Sequence, residues 1–181
     1  MLINDGLLGT TTGLHFDCEV TFAGAIDFCT EKINRDREEA IQLLRQEDSS
    51  AHSYFRYGLA HQISRYIGSL SNNFKGIYIH GSSVENSSGP ASDIDLIILT
   101  TKKVEELELL LTTLSGELEF YYNQLLGTKF FGDDYTGFLD VQLVDESDIK
   151  SRRGYGAVLT SVHYAPIKIW EPDNSDKNLS T

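Results

Sequence analysis

Apolar residues recur at two spacings along this chain, and each spacing predicts a different kind of element. Steps of three or four residues predict helices. The first helical segment contains Phe22, Ile26, Cys29, Ile33, Ala40 and Leu44. The second follows a capping sequence at residues 48–50 and contains Phe55, Leu59, Ile63, Tyr66 and Ile67. The third contains Val104, Leu107, Leu111, Leu114, Leu118, Tyr121 and Leu125. Residues 1–18 are rich in Gly and Thr and predict no element.

Shorter apolar runs at residues 76–80, 93–99, 137–144 and 162–170 predict strands in addition to these helices. We therefore expect an α/β (α+β) fold in which a small mixed β-sheet is backed by helices, with further helices at the amino terminus. The predicted organisation is an amino-terminal segment and helix packed on the core (1–48), a sheet domain (49–170) and a polar tail (171–181). The third helix is expected to pack on the sheet, although its near-heptad spacing also leaves dimerisation open.

Three aspartates interrupt the strand-like runs. Asp93 and Asp95 flank Ile94, and alternation along a strand directs both carboxylates to one face, about 7 Å apart. Asp140 stands between apolar neighbours, where a charge is unfavourable unless it is paired or binds a metal. A solvent-facing aspartate on an edge strand is the alternative for Asp140. Together the three predict a site for Mg²⁺ or Mn²⁺, which prefer carboxylate oxygens and also bind substrate phosphates.

A Gly-Ser pair follows the first strand-like run, directly before the loop that leads to these aspartates. Gly81 has no Cβ, so the backbone there can approach a phosphate closely. Ser82 can offer its hydroxyl group, and amide donors if a helical turn starts there. Gly81 and Ser82 are therefore candidate phosphate-binding residues.

The order Gly81-Ser82, a loop, Asp93-Ile94-Asp95 and then Asp140 resembles the nucleotidyltransferase superfamily of the DNA polymerase beta type, particularly its small stand-alone members. The resemblance covers about residues 50–170 and includes the proline and serine before the first aspartate. It implies a metal-dependent enzyme that moves a nucleoside monophosphate from a nucleoside triphosphate, expected to be ATP, to a hydroxyl group. By the same resemblance, Asp93 and Asp95 bind both catalytic cations, Asp140 binds the cation that activates the attacking oxygen, and Gly81 and Ser82 bind the nucleotide.

The loop departs from the family pattern at Val84, Glu85 and Asn86, where Ala, Arg and Gly are usual. An acid in place of a base weakens the expectation of tight triphosphate binding. Two alternatives therefore stay open beside the enzyme acting on a small molecule. One is a nucleotide-binding regulatory pseudoenzyme, and the other is an antitoxin-like enzyme that modifies a partner protein.

The charge of the chain restricts its partners. The formal net charge of −12 over 181 residues argues against extended nucleic-acid binding, which requires Lys and Arg to neutralise phosphates. A small-molecule or protein acceptor is favoured instead. Cys18 and Cys29 lack metal-type spacing, no apolar run is long enough for a membrane span, and the first residues lack the basic start of a signal peptide. We expect a cytoplasmic protein that does not bind membranes.

Two further groups of residues have ambiguous roles. His52 and His61 lie on the second predicted helix and are expected to be packed or polar-face histidines rather than metal ligands. Lys150, Arg152 and Arg153 form the one local concentration of positive charge in the sequence. They either contact a phosphate or an acceptor, or form the solvated end of a helix.

Overall fold

The computed structural model describes residues 16–102, 105–127, 137–163 and 165–173, and the described residues contain six α-helices and four strands. These are α1 (Cys18–Ile33), α2 (Arg37–Arg45), α3 (Ser49–Ser69), β1 (Phe74–His80), β2 (Ile94–Thr100), α4 (Glu105–Leu126), β3 (Leu139–Val144), α5 (Glu146–Ser151), α6 (Gly154–Leu159) and β4 (Ile167–Trp170). The predicted α/β class is confirmed. The undecided segment up to residue 15, Val104 and the tail from residue 174 lie outside the described residues.

The four strands form one mixed sheet in the order β3-β2-β1-β4. Strand β1 pairs antiparallel with both β2 and β4, whereas β2 and β3 are parallel. A parallel pair cannot be joined by a tight hairpin, and here α4 lies in the connection between the two strands. The predicted small mixed sheet is therefore present, with a helical crossover between the strands that carry the acids.

One face of the sheet packs against helices. Ile77, Ile79, Ile94, Leu96 and Ile98 belong to the buried core together with residues of α1, α3 and α4. Residues at the alternate positions of these strands lie on the other face, which leaves that face available for polar side chains. Within the described ranges, no helix is long and apolar enough to cross a membrane.

The first helical segment is two helices rather than one. Helix α1 ends at Asn34, which adopts the left-handed conformation (φ 53°) and donates its backbone N–H to the carbonyl of Thr30. Helix α2 then begins with a capping box formed by Asp36 and Glu39. The three- and four-residue spacing of apolar residues continues on both sides of this break, because α1 and α2 contribute to the same core. Asp48 caps α3 as predicted, accepting a hydrogen bond of 2.8 Å from the backbone N–H of Ala51.

The carboxyl-terminal part also differs from the predicted elements. The last strand starts at Ile167 rather than at residue 162, directly after Pro166, which has no N–H to donate to a sheet. Two short helices, α5 and α6, lie between β3 and β4. Lys150 lies in the last turn of α5 and Arg152 is its left-handed capping residue, so this cluster does lie at a helix end.

Candidate active site

The structure brings the three predicted aspartates together. Asp93 directly precedes β2, Asp95 lies within β2, and Asp140 lies within β3. Asp95 and Asp140 are partners in the parallel register. One carboxylate oxygen from each of the three residues lies within 4.8 Å of the others, and all three side chains are half-buried. The expectation that they converge on one face of the sheet is confirmed.

Burial and mutual repulsion both act on the charges of this cluster. The pKa of Asp95 is raised from 3.8 to about 6, first by burial and then by the negative charges of Asp93, Asp140 and Glu85. A bound cation would relieve this repulsion, and three converging carboxylates match the oxygen ligands that Mg²⁺ and Mn²⁺ prefer. The residues present therefore fit a divalent cation site.

The Gly-Ser pair forms a short 3₁₀ turn, Gly81–Ser83, at the end of β1. Gly81 has a φ of +70°, and a Cβ added there would collide with the carboxylate of Asp95. Both its backbone conformation and the available space therefore require glycine. Ser82 accepts a hydrogen bond of 3.1 Å from the hydroxyl of Ser88, which ties the turn to the following loop. The turn thus lies against the acidic cluster, although its role toward phosphate stays a prediction.

His80 and Tyr155 also face the cluster, and neither was expected from the sequence. His80 is the antiparallel register partner of Asp95, so His80, Asp95 and Asp140 form one row across three strands. Tyr155 of α6 contacts the His80 ring at a centroid distance of 5.7 Å. Burial raises the pKa of Tyr155, and the negative charges of Asp140, Asp95 and Asp93 raise it as well, so the Tyr155 hydroxyl group is within electrostatic reach of the cluster. The alternation of side chains along β1 could have identified His80, whereas no pattern in the sequence marks Tyr155.

Helix α3 holds the loop that connects the Gly-Ser turn to Asp93. Ser50, Ser53 and Arg56, spaced three residues apart, lie on one face of the helix. The hydroxyl of Ser50 accepts a hydrogen bond of 3.2 Å from the side chain of Asn86. Ser53 accepts one of 3.1 Å from the backbone N–H of Ser88. Sequence analysis missed this face, because α3 has polar residues at many other positions and these three do not stand out among them.

Neither of the two histidines of α3 belongs to the acidic cluster. His52 is buried and hydrogen-bonded through Nδ1 to Arg56 and Tyr122, at 3.0 and 2.9 Å. His61 is exposed on the helix surface. The packed position of His52 and the exposed position of His61 are those expected from the sequence, and among the described residues the group suited to hold a metal consists of the three aspartates.

Glu85 is exposed, but its charge reaches the site. It is among the groups that raise the pKa of Asp95, and it also opposes the lowering of the pKa of His80 that burial causes. Its backbone N–H bonds to the carbonyl of Gly81 at 3.1 Å. The acid that departs from the family pattern therefore acts electrostatically on the acidic cluster.

The fold and the site together define a class of protein. A mixed sheet presents a Gly-Ser turn after its first strand and converging aspartates on the next two strands, which is the arrangement that the sequence predicted for a nucleotidyltransferase. Residues 61–149 match the family model of the nucleotidyltransferase domain, and this range contains the turn and all three aspartates. The match is consistent with a protein of the nucleotidyltransferase superfamily. No curated protein and no solved structure matches the chain significantly.

Proposed function

We propose that this protein is a metal-dependent enzyme that transfers a nucleoside monophosphate from a nucleoside triphosphate to a hydroxyl group of an acceptor. The observation that carries the proposal is the convergence of the Asp93, Asp95 and Asp140 carboxylates within 4.8 Å. In this proposal all three bind divalent cations, Mg²⁺ or Mn²⁺. When bound, such cations neutralise phosphate charge and orient the attacking and leaving oxygens.

The surrounding residues have separate roles in this proposal. Gly81 lets the backbone of the turn lie against the triphosphate, and Ser82 donates to a phosphate oxygen. Asp140 is the carboxylate nearest the attacking oxygen. The Tyr155 ring, held against His80, closes one side of the site and offers a flat surface to a nucleobase or an acceptor.

The acceptor is proposed to be a small molecule or a protein. A formal net charge of −12 disfavours a long polyanionic acceptor such as nucleic acid. The same acidity favours a triphosphate that arrives with its cation already bound. ATP as the nucleotide and the cytoplasm as the location are further parts of the proposal.

A nucleotide-binding regulatory pseudoenzyme is the second candidate, and Glu85 is the observation that favours it. An acid beside the carboxylate cluster repels the phosphates that the site would have to bind. Such a protein would bind nucleotide without releasing pyrophosphate.

One experiment separates these functions. The protein is incubated with Mg²⁺ or Mn²⁺, with each labelled nucleoside triphosphate in turn, and with a panel of sugars, nucleosides and purified proteins. The proposal expects cation-dependent pyrophosphate release and label on one class of acceptor. Nucleotide binding without pyrophosphate release, in calorimetry of the same mixtures, would favour the pseudoenzyme. The absence of nucleotide binding would contradict both.

A further inference from the structure

Arg56 is a fully buried arginine on α3, with no side-chain surface exposed to solvent. Its Nε donates a hydrogen bond of 2.9 Å to the carbonyl of Ser92, and its Nη2 donates one of 2.9 Å to the carbonyl of Pro90. Ser92 is the residue directly before Asp93. The guanidinium group therefore fixes the backbone from which the first aspartate extends.

The segment that Arg56 contacts is itself closed into a turn. The backbone N–H of Ser92 bonds to the carbonyl of Gly89 at 3.1 Å, and the N–H of Gly89 bonds to the hydroxyl of Ser92 at 2.9 Å. Arg56 thus binds a preformed turn at two points rather than a loose loop. A turn held in this way limits the positions that the Asp93 carboxylate can reach.

The same guanidinium also contacts the segment that leads to Asp140. Its centre lies 5.6 Å from the ring centroid of Phe138, a residue next to β3, and 5.0 Å from the ring of Tyr122. The carbonyl of Phe138 accepts a hydrogen bond of 2.9 Å from the N–H of Ile94, between Asp93 and Asp95. One side chain therefore links the two chain segments that supply the carboxylates.

Tyr122 and His52 hold the guanidinium in place. Tyr122 accepts a hydrogen bond of 3.2 Å from Nη2 of Arg56 and donates its own proton to Nδ1 of His52 at 2.9 Å. Nδ1 also lies 3.0 Å from Nη1 of Arg56. Because a guanidinium group can only donate, Nδ1 is assigned as the acceptor, and His52 is then neutral with its proton on Nε2.

Desolvating a cation is unfavourable, and the hydrogen bonds of Arg56 to two backbone carbonyls and two side chains compensate for it. What the guanidinium adds is geometry, since its planar fork can donate to two carbonyls while its faces contact two rings. A lysine has the charge but not the fork.

We propose that Arg56 is a positioning residue for the cation site, one that sets the separation of Asp93 from Asp95 and Asp140. The inference rests on the proposed function, since it takes the three aspartates as cation ligands. Arg56 contacts neither substrate nor cation, and it acts through the turn at residues 89–92 and the start of β3.

The test uses Arg56→Lys, Arg56→Met and Tyr122→Phe, with Ile26→Ala as a control core truncation in α1. Two properties are measured on the metal-free, full chain. Mn²⁺ affinity is determined by electron paramagnetic resonance without nucleotide, and backbone hydrogen exchange is followed in the peptide covering residues 84–93. Circular dichroism and melting temperature record how far each variant is destabilised.

We expect both Arg56 variants to lose about tenfold in Mn²⁺ affinity, as is common when the residues that orient metal ligands are changed. Residues 84–93 should exchange faster in these variants, and Tyr122→Phe should show the same changes to a smaller extent. Ile26→Ala should lower the melting temperature without changing Mn²⁺ affinity. Wild-type affinity and wild-type exchange in a folded Arg56→Lys protein would overturn the inference.

Two other outcomes are also decisive. If neither Arg56 variant folds, Tyr122→Phe decides, because it removes one hydroxyl group and keeps the ring. If the wild-type protein does not bind Mn²⁺, the proposed function fails. The hydrogen exchange of residues 84–93 then still shows whether Arg56 holds the turn.

Discussion

Asp95 and Asp140 are direct register partners on the neighbouring parallel strands β2 and β3. The side chains of such partners lie on the same face of a sheet. Because β2 and β3 are directly adjacent, the two carboxylates are neighbours on that face. Asp93 adds a third carboxylate one residue before β2. The sheet thus keeps together three carboxylates that repel one another when no cation is bound and that together can hold one.

We predict that Asp95→Ala and Asp140→Asn each reduce nucleotidyl transfer by about a hundredfold or more, because the phosphate charge would no longer be neutralised by bound cations. Pyrophosphate release measures the loss, and circular dichroism checks that the fold is retained. Wild-type rates in both variants would remove these residues from the mechanism.

Asp95→Asn should stabilise the metal-free protein at pH 7. The folded-state pKa of Asp95 is raised to about 6 from 3.8, so the folded state holds its proton more tightly than the unfolded state does. The stability that this proton contributes is present below pH 3.8, falls as the pH rises through about 6, and is absent at pH 7. After discounting for solvent screening at this half-exposed carboxylate, we expect a gain of about 1 kcal/mol.

Urea unfolding in chelator at pH 7 and pH 3.5 measures the effect of Asp95→Asn, and the difference from wild type should be small at the lower pH. Added Mg²⁺ should stabilise the wild type more than the variant. An unchanged or lower stability of the variant at pH 7 would contradict the repulsion described for this cluster.

Acid should destabilise the fold through His52. Its folded-state pKa is lowered from 6.5 to about 4, first by burial and then by the charge of Arg56, against the opposing effects of the Leu44 backbone and Asp48. The stability contributed by neutral His52 is full above pH 6.5 and decreases as the pH falls toward 4. Replacement by Asn, which keeps an acceptor near Nδ1, should flatten the pH dependence of the melting temperature in this window. An equally steep profile in His52→Asn would exclude His52 as the cause.

Tyr155 should contribute to nucleotide binding through its ring and not through its hydroxyl group. Tyr155→Ala is expected to weaken the binding of Mg²⁺–ATP by about tenfold, since stacking of a base on an aromatic ring contributes about 1–3 kcal/mol. Tyr155→Phe should bind normally. Calorimetry with Mg²⁺–tripolyphosphate is the control, because a ligand without a base should bind both variants and the wild type equally. Equal weakening for tripolyphosphate would instead indicate a general disturbance of the site.

Glu85→Arg should tighten the binding of a nonhydrolysable triphosphate in Mg²⁺, by up to roughly fivefold, since an exposed charge pair contributes about 0 to 1 kcal/mol. Glu85→Gln, which removes the charge without reversing it, should give an intermediate affinity. Calorimetric titrations at two ionic strengths provide the check, because the gain should shrink when salt screens the charges. Identical affinities for all three proteins at both salt concentrations would place Glu85 outside the phosphate site.

The acidic cluster could be predicted from the sequence because each of its members breaks a strict local pattern. Asp93 and Asp95 share a face by strand alternation alone, and Asp140 is a charge in an apolar run. What alternation does not specify is the register between strands that are far apart in the sequence. The partnership of Asp95 with Asp140 therefore became visible only in the sheet.

The contacts that hold the site in place could not be predicted from the sequence, because they join segments that are far apart along the chain. Arg56 occupies a helical position where an exposed arginine would fit the same pattern, and only the packing of α3, α4 and the loop shows that it is buried. The break at Asn34 was missed for a related reason, because apolar spacing continues through two helices that share one core. Pro166, by contrast, was a local signal for the late start of β4.

The parallel pairing of β2 with β3 would also make the proposed cation binding a late event in folding. Asp95 and Asp140 are separated along the chain by the whole of α4, and contacts of this separation form after local ones because closing the intervening loop is entropically costly. A cation that binds only the folded cluster stabilises the native state, including the connection between β2 and β3, because its binding free energy adds to the free energy of unfolding. A nascent chain released from synthesis before β3 has been made carries two of the aspartates, yet it would have no more affinity for the cation than a short acidic peptide.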